Sequence, residues 1–195
     1  MPSRIVVIDG HPDADPKRFV HALAAAYAAG AREAGHEVRL INVAELDFPM
    51  LRTAADFQKG TPSAVIRECQ ATLAWAQHWV ILYPLWLGSM PALLKGFFEQ
   101  VGRPGFAFAE ARGRSLPKKL LAGRSARVVV TMGMPGLFYR WYYRAHSLKS
   151  LERNILAFIG ISPIRASVVG MVEGVSATTR TKWLKQMSGF GRRAH

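Results

Sequence analysis

The sequence predicts an α/β fold, a doubly wound, five-stranded parallel sheet of order 2-1-3-4-5 with helices on both faces, and three observations predict it. Short apolar runs alternate with longer helical patterns along the chain, the order that builds strand–helix–strand crossovers. The strand candidates are continuous apolar runs such as Ile5-Val6-Val7-Ile8, which suits strands covered on both faces better than an in/out alternation would. The 195 residues carry no repeat, polar linker or low-complexity tract, so residues 1–195 read as a single domain able to bury a substantial core.

Residues 5–8 read as the buried first strand, residues 9–16 as a loop, and residues 17–34 as a helix with Ala, Leu and Tyr on its inner face and Gly35 at its end. Residues 37–42 give a second strand, 64–77 a second helix and 79–83 a third strand. A helix over residues 91–101 starts at Pro91, a residue suited to a first turn. A long insertion containing Gly, Pro and Arg follows, then a fourth strand over 127–132. Residues 148–159, 164–168 and 176–187 complete the chain as helix, strand and helix. In such a sheet ligands bind beyond the carboxyl ends of the strands, at the point where the first and third strands lie side by side.

The balance of 26 Lys+Arg against 13 Asp+Glu gives a net charge of +13, a field that attracts anionic partners. The charge gathers in residues 103–127, 140–153 and 180–193 without a continuous basic helix or an RNA-binding aromatic motif, which disfavours nucleic acid. An anionic membrane surface, a cofactor phosphate and plain solvated faces stay open. The longest apolar stretch, 79–94, is interrupted by Pro84, Gly88, Ser89 and Pro91 and falls short of the roughly 20 residues of a membrane span. The apolar run near the amino terminus is too short for a signal peptide. Cys69 is the only cysteine, which leaves no disulfide framework and no Cys-rich metal site. Together these features lead us to expect a cytoplasmic protein.

Gly-x-Ser-x-Gly, Walker and His-Glu-x-x-His motifs are missing, and the six histidines lack metal-ligand spacing. His21, His78 and Cys69 read as structural. Gly189-Phe190-Gly191-Arg192-Arg193-Ala194 fits a dinucleotide pattern in letters only, because no helix follows it.

The most informative segment is Val80-Ile81-Leu82-Tyr83-Pro84-Leu85-Trp86-Leu87-Gly88-Ser89-Met90-Pro91-Ala92-Leu93-Leu94-Lys95-Gly96. Pro84 ends strand pairing, Gly88 allows the backbone close to a ligand, and Pro91 opens a helix. The loop between them can grip a flat ring, or Trp86 and Leu87 can simply fill core space. Asp9-Gly10-His11-Pro12-Asp13-Ala14-Asp15-Pro16-Lys17-Arg18-Phe19 joins the first strand to the first helix, where free amides and the helix dipole favour an anion. His11, Lys17 and Arg18 add donors and charge, while Asp13 and Asp15 also suit turns and caps. Thr131-Met132-Gly133-Met134-Pro135-Gly136 follows the fourth strand, with glycines that permit close approach or merely a turn.

These segments resemble the flavodoxin-like NAD(P)H:quinone oxidoreductases, the DT-diaphorase group, over most of the chain. The resemblance implies a flavodoxin-like fold in which Pro84, Leu85, Trp86, Leu87 and Gly88 lie against the isoalloxazine ring. It gives His11, Lys17, Arg18 and Phe19 to the flavin phosphate, although Arg18 stands where the family places Ser and the loop is longer. Thr131, Met132, Gly133 and Met134 correspond to the family's Thr-Thr-Gly-Gly, facing the flavin N1/O2 edge. Tyr139 and His146 correspond to a Tyr and a His that assist hydride chemistry, the His displaced by one residue; they also fit an exposed aromatic and basic segment. The implied cofactor is FMN, with FAD as the alternative, and the implied donor NADH or NADPH. The implied reaction is ping-pong transfer of two electrons to a quinone or similar acceptor. A homodimer with residues 138–143 at its interface is also implied. A flavin-binding regulatory subunit of a membrane ion-efflux transporter is the second reading.

Overall fold

The apolar run at residues 5–8 forms the buried centre of strand β1 (Arg4–Asp9). The structure, a computed structural model, describes residues 1–109 and 117–194. After β1 come α1 (Phe19–Glu33), β2 (Glu37–Asn42), a 3-10 turn (Val43–Glu45), α2 (Ala54–Lys59), α3 (Ala64–Trp75) and β3 (His78–Pro84). Then follow α4 (Ala92–Val101), a short hairpin of β4 (Phe108–Ala109) and β5 (Lys118–Lys119), β6 (Ser125–Thr131) and α5 (Gly136–Trp141). The helix α6 (His146–Ser150) runs through a π-helical stretch (Leu151–Leu156) into α7 (Ala157–Ile159), and β7 (Ile164–Val169) and α8 (Ala177–Arg192) end the order.

The main sheet runs β2-β1-β3-β6-β7, every pair parallel. Counted over this sheet alone the order is 2-1-3-4-5, as the alternating pattern predicted. Every residue of β3 is buried, which is why its sequence shows no alternation. Side chains of β1 point alternately to the two faces: Val6 and Ile8 join the core formed with α3, α4 and the α6–α7 segment, Ile5 and Val7 the core under α1 and α8. The register places Asp9 beside Leu82 and Pro84 beside Thr131, so β1, β3 and β6 end together at one edge.

Several elements depart from the sequence expectation. The short helices α2 and α5 and the β4–β5 hairpin were not anticipated; six- and two-residue pieces are too brief to establish a period. Part of the expected insertion, residues 110–116, lies outside the described residues. Helix α8 continues past the expected end at Met187 to Arg192. Its last turns are held by α1: a Cβ added to Gly191 would sit 2.1 Å from the Tyr27 carbonyl oxygen, and one added to Gly30 would sit 2.2 Å from that of Ser188. The Gly189–Ala194 pattern is therefore the close-packed end of a helix rather than a dinucleotide turn.

Candidate ligand cleft

The loops leaving β1, β3 and β6 surround a cleft of about 420 Å³, within the usual range for small-molecule sites. Its lining unites His11, Lys17, Arg18 and Phe19 with Pro84, Leu85 and Trp86 and with Thr131, Met132 and Gly133. Asp13, Val20, Val172, Glu173 and Arg180 complete it.

The β1–α1 loop is organised by side chains capturing amides two residues away. The His11 amide donates to Asp9 Oδ1 (3.2 Å), Asp15 to Asp13 Oδ1 (2.9 Å) and Lys17 to Asp15 Oδ1 (3.0 Å). Asp13 and Asp15 are thus turn formers. Arg18 donates from Nε (2.8 Å) and reaches with Nη2 (2.6 Å) to Asp13 Oδ2, so part of the positive charge expected to meet an anion is turned onto this carboxylate. The Asp15 amide first, and Arg18 second, hold the Asp13 carboxyl below the usual range. Helix α1 begins after Arg18 with no side-chain cap, which leaves the positive end of its dipole facing the cleft.

Two histidines brace this loop. His21 places Nδ1 2.5 Å from Asp9 Oδ2 and Nε2 2.9 Å from the Asp13 carbonyl oxygen. Both partners are acceptors, so the doubly protonated ring satisfies both. Burial works to lower the His21 pKa, but Asp9 and Asp13 outweigh it and the net direction is upward. His11 moves the other way: burial lowers its pKa beyond what the Asp13 carbonyl and the Asp9 and Asp13 charges restore, with the nearby His21 charge also lowering it. His11 Nδ1 lies 3.1 Å from both the amide nitrogen and the carbonyl oxygen of Asp13, so Asp13 engages the ring in either tautomer. The buried His11 ring meets Trp86 edge-on, centroids 5.9 Å apart.

After β3, the Leu85 amide donates to the Thr131 carbonyl (2.7 Å), and Trp86 and Ser89 exchange two backbone hydrogen bonds across Leu87 and Gly88. With φ of 46° at Leu87 and 77° at Gly88, this is a tight turn of the primed kind. The turn leaves Trp86 half-exposed and Leu87 fully exposed, contrary to the alternative in which both fill core. A Cβ at Gly88 would meet nothing within 4 Å; positive φ, not crowding, is what this glycine supplies. Leu87 and Gly88 themselves lie outside the cleft lining.

After β6, Met132 is buried and its amide donates to the Val169 carbonyl (2.9 Å). Gly133 is exposed, and a Cβ there would enter open space. Met134 departs from the expected ring contact: it packs partly against the core, its carbonyl accepting from the Met171 amide (3.1 Å), and it does not line the cleft. Tyr139 and His146 also stand apart from the lining. Tyr139 is 1% exposed, and its hydroxyl is taken up by Ser147 Oγ (2.8 Å) and the Leu148 amide (3.2 Å), tying α5 to α6. His146 is exposed at the start of α6.

Sequence reasoning missed Val172, Glu173 and Arg180. Arg180 reaches from α8 to the Val172 carbonyl (2.8 Å), with its guanidinium 5.4 Å from the Phe19 ring centroid. The signal was topological: residues 170–176 leave the carboxyl end of the last strand, at the edge where open sheets bind ligands.

The residues fit a flat cofactor with an anionic tail. Trp86 offers a half-exposed aromatic face, Gly133 leaves room for close approach, and the uncapped α1 terminus, Lys17 and Arg180 offer positive charge. A separate cavity of about 280 Å³ under α4, walled by Phe98, Phe106, Phe108 and Phe158, is far more apolar and lacks such convergent donors. Among the described residues no group of three or more His, Cys, Asp or Glu is placed to hold a metal ion.

A doubly wound α/β protein with a ligand cleft at the carboxyl edge of its sheet is what this fold and site define. Residues 3–188 match the family described by the flavodoxin-like fold, and the chain belongs to that family. The ribosyldihydronicotinamide dehydrogenase-like protein traD of Penicillium crustosum is 24% identical over 178 residues, covering 78% of this chain and 64% of that relative. This chain thus spans less than two thirds of that relative's length. The NAD(P)H:quinone oxidoreductase of Methanothermobacter marburgensis superposes with a TM-score of 0.80 at 22% identity, covering 100% of both chains. The FMN-dependent NADH-azoreductase of Bacillus anthracis, solved in complex with FMN, gives a TM-score of 0.78 at 18% identity over 98% of both chains. At these identities the two structures establish the shared fold.

Proposed function

We propose that the protein is a flavin-dependent NAD(P)H oxidoreductase that transfers two electrons to a quinone or similar acceptor, with FMN as its cofactor. The observation that carries this reading is the convergence of the β1, β3 and β6 loops, bearing His11, Trp86 and Gly133, on one cleft. The quinone oxidoreductase and the FMN-bound azoreductase among the structural relatives support it, as does the dehydrogenase-like name of the Penicillium crustosum relative. FAD remains the alternative flavin, and NADH and NADPH the alternative donors.

Bound flavin supplies the chemistry of accepting a hydride and releasing two electrons. The chain's residues bind and orient. Lys17, Arg180 and the α1 terminus attract the anionic tail, and Trp86, fixed by its turn, presents an aromatic face. His11 packs edge-on against the Trp86 ring, while His21 and Asp9 keep the loop in place. Thr131 and Gly133, which line the cleft, would border the ring edge on which charge develops. The cleft lining supports these residues rather than Tyr139 and His146.

The ping-pong order follows if donor and acceptor use the same open face in turn. The homodimer is supported by exposed aromatic surface on α5 and just beyond it, where Trp141 and Tyr142 are 82% and 63% exposed. A cytoplasmic setting accords with the single buried Cys69, and peripheral contact with an anionic membrane with the +13 charge; no described helix is long and apolar enough to cross a membrane.

Heat-released supernatant of the purified protein, separated by chromatography, should contain FMN. Stopped-flow mixing with NADH or NADPH should bleach the flavin absorbance, and steady-state kinetics against a soluble quinone should give parallel double-reciprocal lines. A protein that holds no flavin and takes none up on reconstitution overturns the proposal.

A further inference from the structure

The β1–α1 loop and the first residues of α1 give the cleft His11, Asp13, Lys17, Arg18, Phe19 and Val20. His21, the next residue, does not line the cleft, yet its side chain closes the loop on itself. Its Nδ1 meets Asp9 Oδ2 at the end of β1, and its Nε2 meets the Asp13 carbonyl in the middle of the loop. Each partner in turn holds part of the loop: Asp9 Oδ1 accepts the His11 amide, Asp13 Oδ1 accepts the Asp15 amide, and Asp13 Oδ2 holds Arg18. Both oxygens that face the His21 ring are acceptors. A neutral imidazole carries one N–H in either tautomer and either ring orientation, so it leaves one of the two oxygens facing a lone pair. The imidazolium alone makes both bonds. The His21 and Asp9 side chains are 16% and 13% exposed, so little water reaches them to replace a lost bond.

We propose that protonated His21 is a positioning residue that clamps the β1–α1 loop in its binding geometry, so that the loop's order and its hold on an anionic ligand are coupled to one proton. The clamp rests on the proposed flavin site for the identity of the ligand, while its geometry belongs to the loop itself. The charged and titratable groups facing His21 are Asp9 from β1 and Asp13 and His11 from the loop. Burial works to lower the His21 pKa, and the hydrogen bonds and charges of Asp9 and Asp13 outweigh it, for a net rise above 6.5. Tight binding is therefore present while His21 keeps its proton and is lost as pH rises through its folded pKa. His11, lowered chiefly by burial, titrates on the acid side of His21.

The test is FMN binding to the full chain freed of flavin, followed by flavin fluorescence between about pH 7 and 9, where a phosphate monoester with its second pKa near 6 stays dianionic. Affinity should fall about fivefold or more across the pH at which the His21 ring resonances titrate, and bound FMN should in turn move that titration to higher pH. His21→Asn should bind FMN more weakly at neutral pH and lose the pH dependence. In Asp9→Asn the ring should titrate at lower pH, and the step in affinity should move with it whatever the absolute affinity. A merely structural contact would not produce that joint displacement. An affinity without a step at the ring's titration, in wild type and in Asp9→Asn, overturns the clamp, as does a His21→Asn protein that keeps the wild-type step. If wild type binds no FMN at any pH, the flavin reading falls and the free chain decides the clamp. There the amide resonances of His11, Asp15 and Lys17 should shift with the same midpoint as the His21 ring; amides that do not follow it overturn the clamp.

Discussion

Trp86 and Ser89 exchange two backbone hydrogen bonds of 2.9 Å each, closing a tight turn over Leu87 and Gly88. Both central residues carry positive φ, the condition of a primed turn. Glycine meets it without steric cost, while leucine at 46° already bears strain. Gly88→Val should therefore cost about 1–2 kcal/mol and displace Trp86. Chemical denaturation is expected to show the loss of stability, and flavin titration a parallel loss of affinity. Unchanged values in both would mean that the turn does not set the indole's position.

Gly133 offers a cleaner probe, because its φ is not positive and an added Cβ meets nothing within 4 Å. Gly133→Val should leave the unfolding midpoint close to wild type. If a flavin ring approaches this backbone, the same variant should bind flavin at least about tenfold more weakly, or 1.4 kcal/mol. Normal flavin occupancy would remove the β6 loop from the site.

The sheet order was legible because the central strands β1, β3 and β6 carry continuous apolar runs that alternate with helical patterns, and ten of the thirteen expected cofactor contacts line the cleft because they occupy loops at one strand edge. What escaped depends on tertiary geometry. Arg180 reads as surface charge until α8 is laid beside Phe19. The aromatic and basic run 138–144 has no period that reveals which way Tyr139 faces, and the short helix α5 turns its ring inward. Ser188-Gly189 reads as a helix end, yet α8 continues because Gly191 lets its backbone touch α1.

Tyr139 should act mainly through stability. Tyr139→Phe removes the hydroxyl that meets Ser147 Oγ and the Leu148 amide, leaving a buried donor unsatisfied at a cost of about 1–3 kcal/mol. His146→Gln, at an exposed position, should stay within about 0.5 kcal/mol of wild type. Stopped-flow reduction provides the contrast: a rate lost in Tyr139→Phe without any fall in stability would restore a direct part in the chemistry.

The two glycines near the end of α8 should respond in opposite senses. A Cβ at Gly191 would press to 2.1 Å from the Tyr27 carbonyl oxygen, so Gly191→Ala should destabilise by about 1–3 kcal/mol. At Gly189 the nearest neighbour is the Arg193 guanidinium, 3.7 Å away at ordinary van der Waals distance, and the helical backbone favours alanine. Gly189→Ala should stabilise by about 0.5–1 kcal/mol. Denaturant midpoints compared at constant m-value decide both; equal effects would show that the α1–α8 contact is looser than this geometry.

His21 should give the β1–α1 loop a pH-dependent stability of definite sign. Its folded pKa is raised above 6.5 because the Asp9 carboxylate and Asp13 carbonyl outweigh burial. The stabilisation is therefore fully present below the unfolded value of about 6.5 and is lost as pH rises through the folded pKa. His11 has the opposite sign. Its pKa is lowered, chiefly by burial, so its contribution is present above the unfolded value and is lost as pH falls through the folded one. Asp9, Asp13 and His11 are the titratable groups facing His21. In His21→Asn the deficit in melting temperature relative to wild type should be largest on the acid side of neutrality and shrink as pH rises. Imidazole resonances should show His21 titrating above His11. A deficit independent of pH, or the reverse order of titration, would contradict the brace formed by Asp9 and His21.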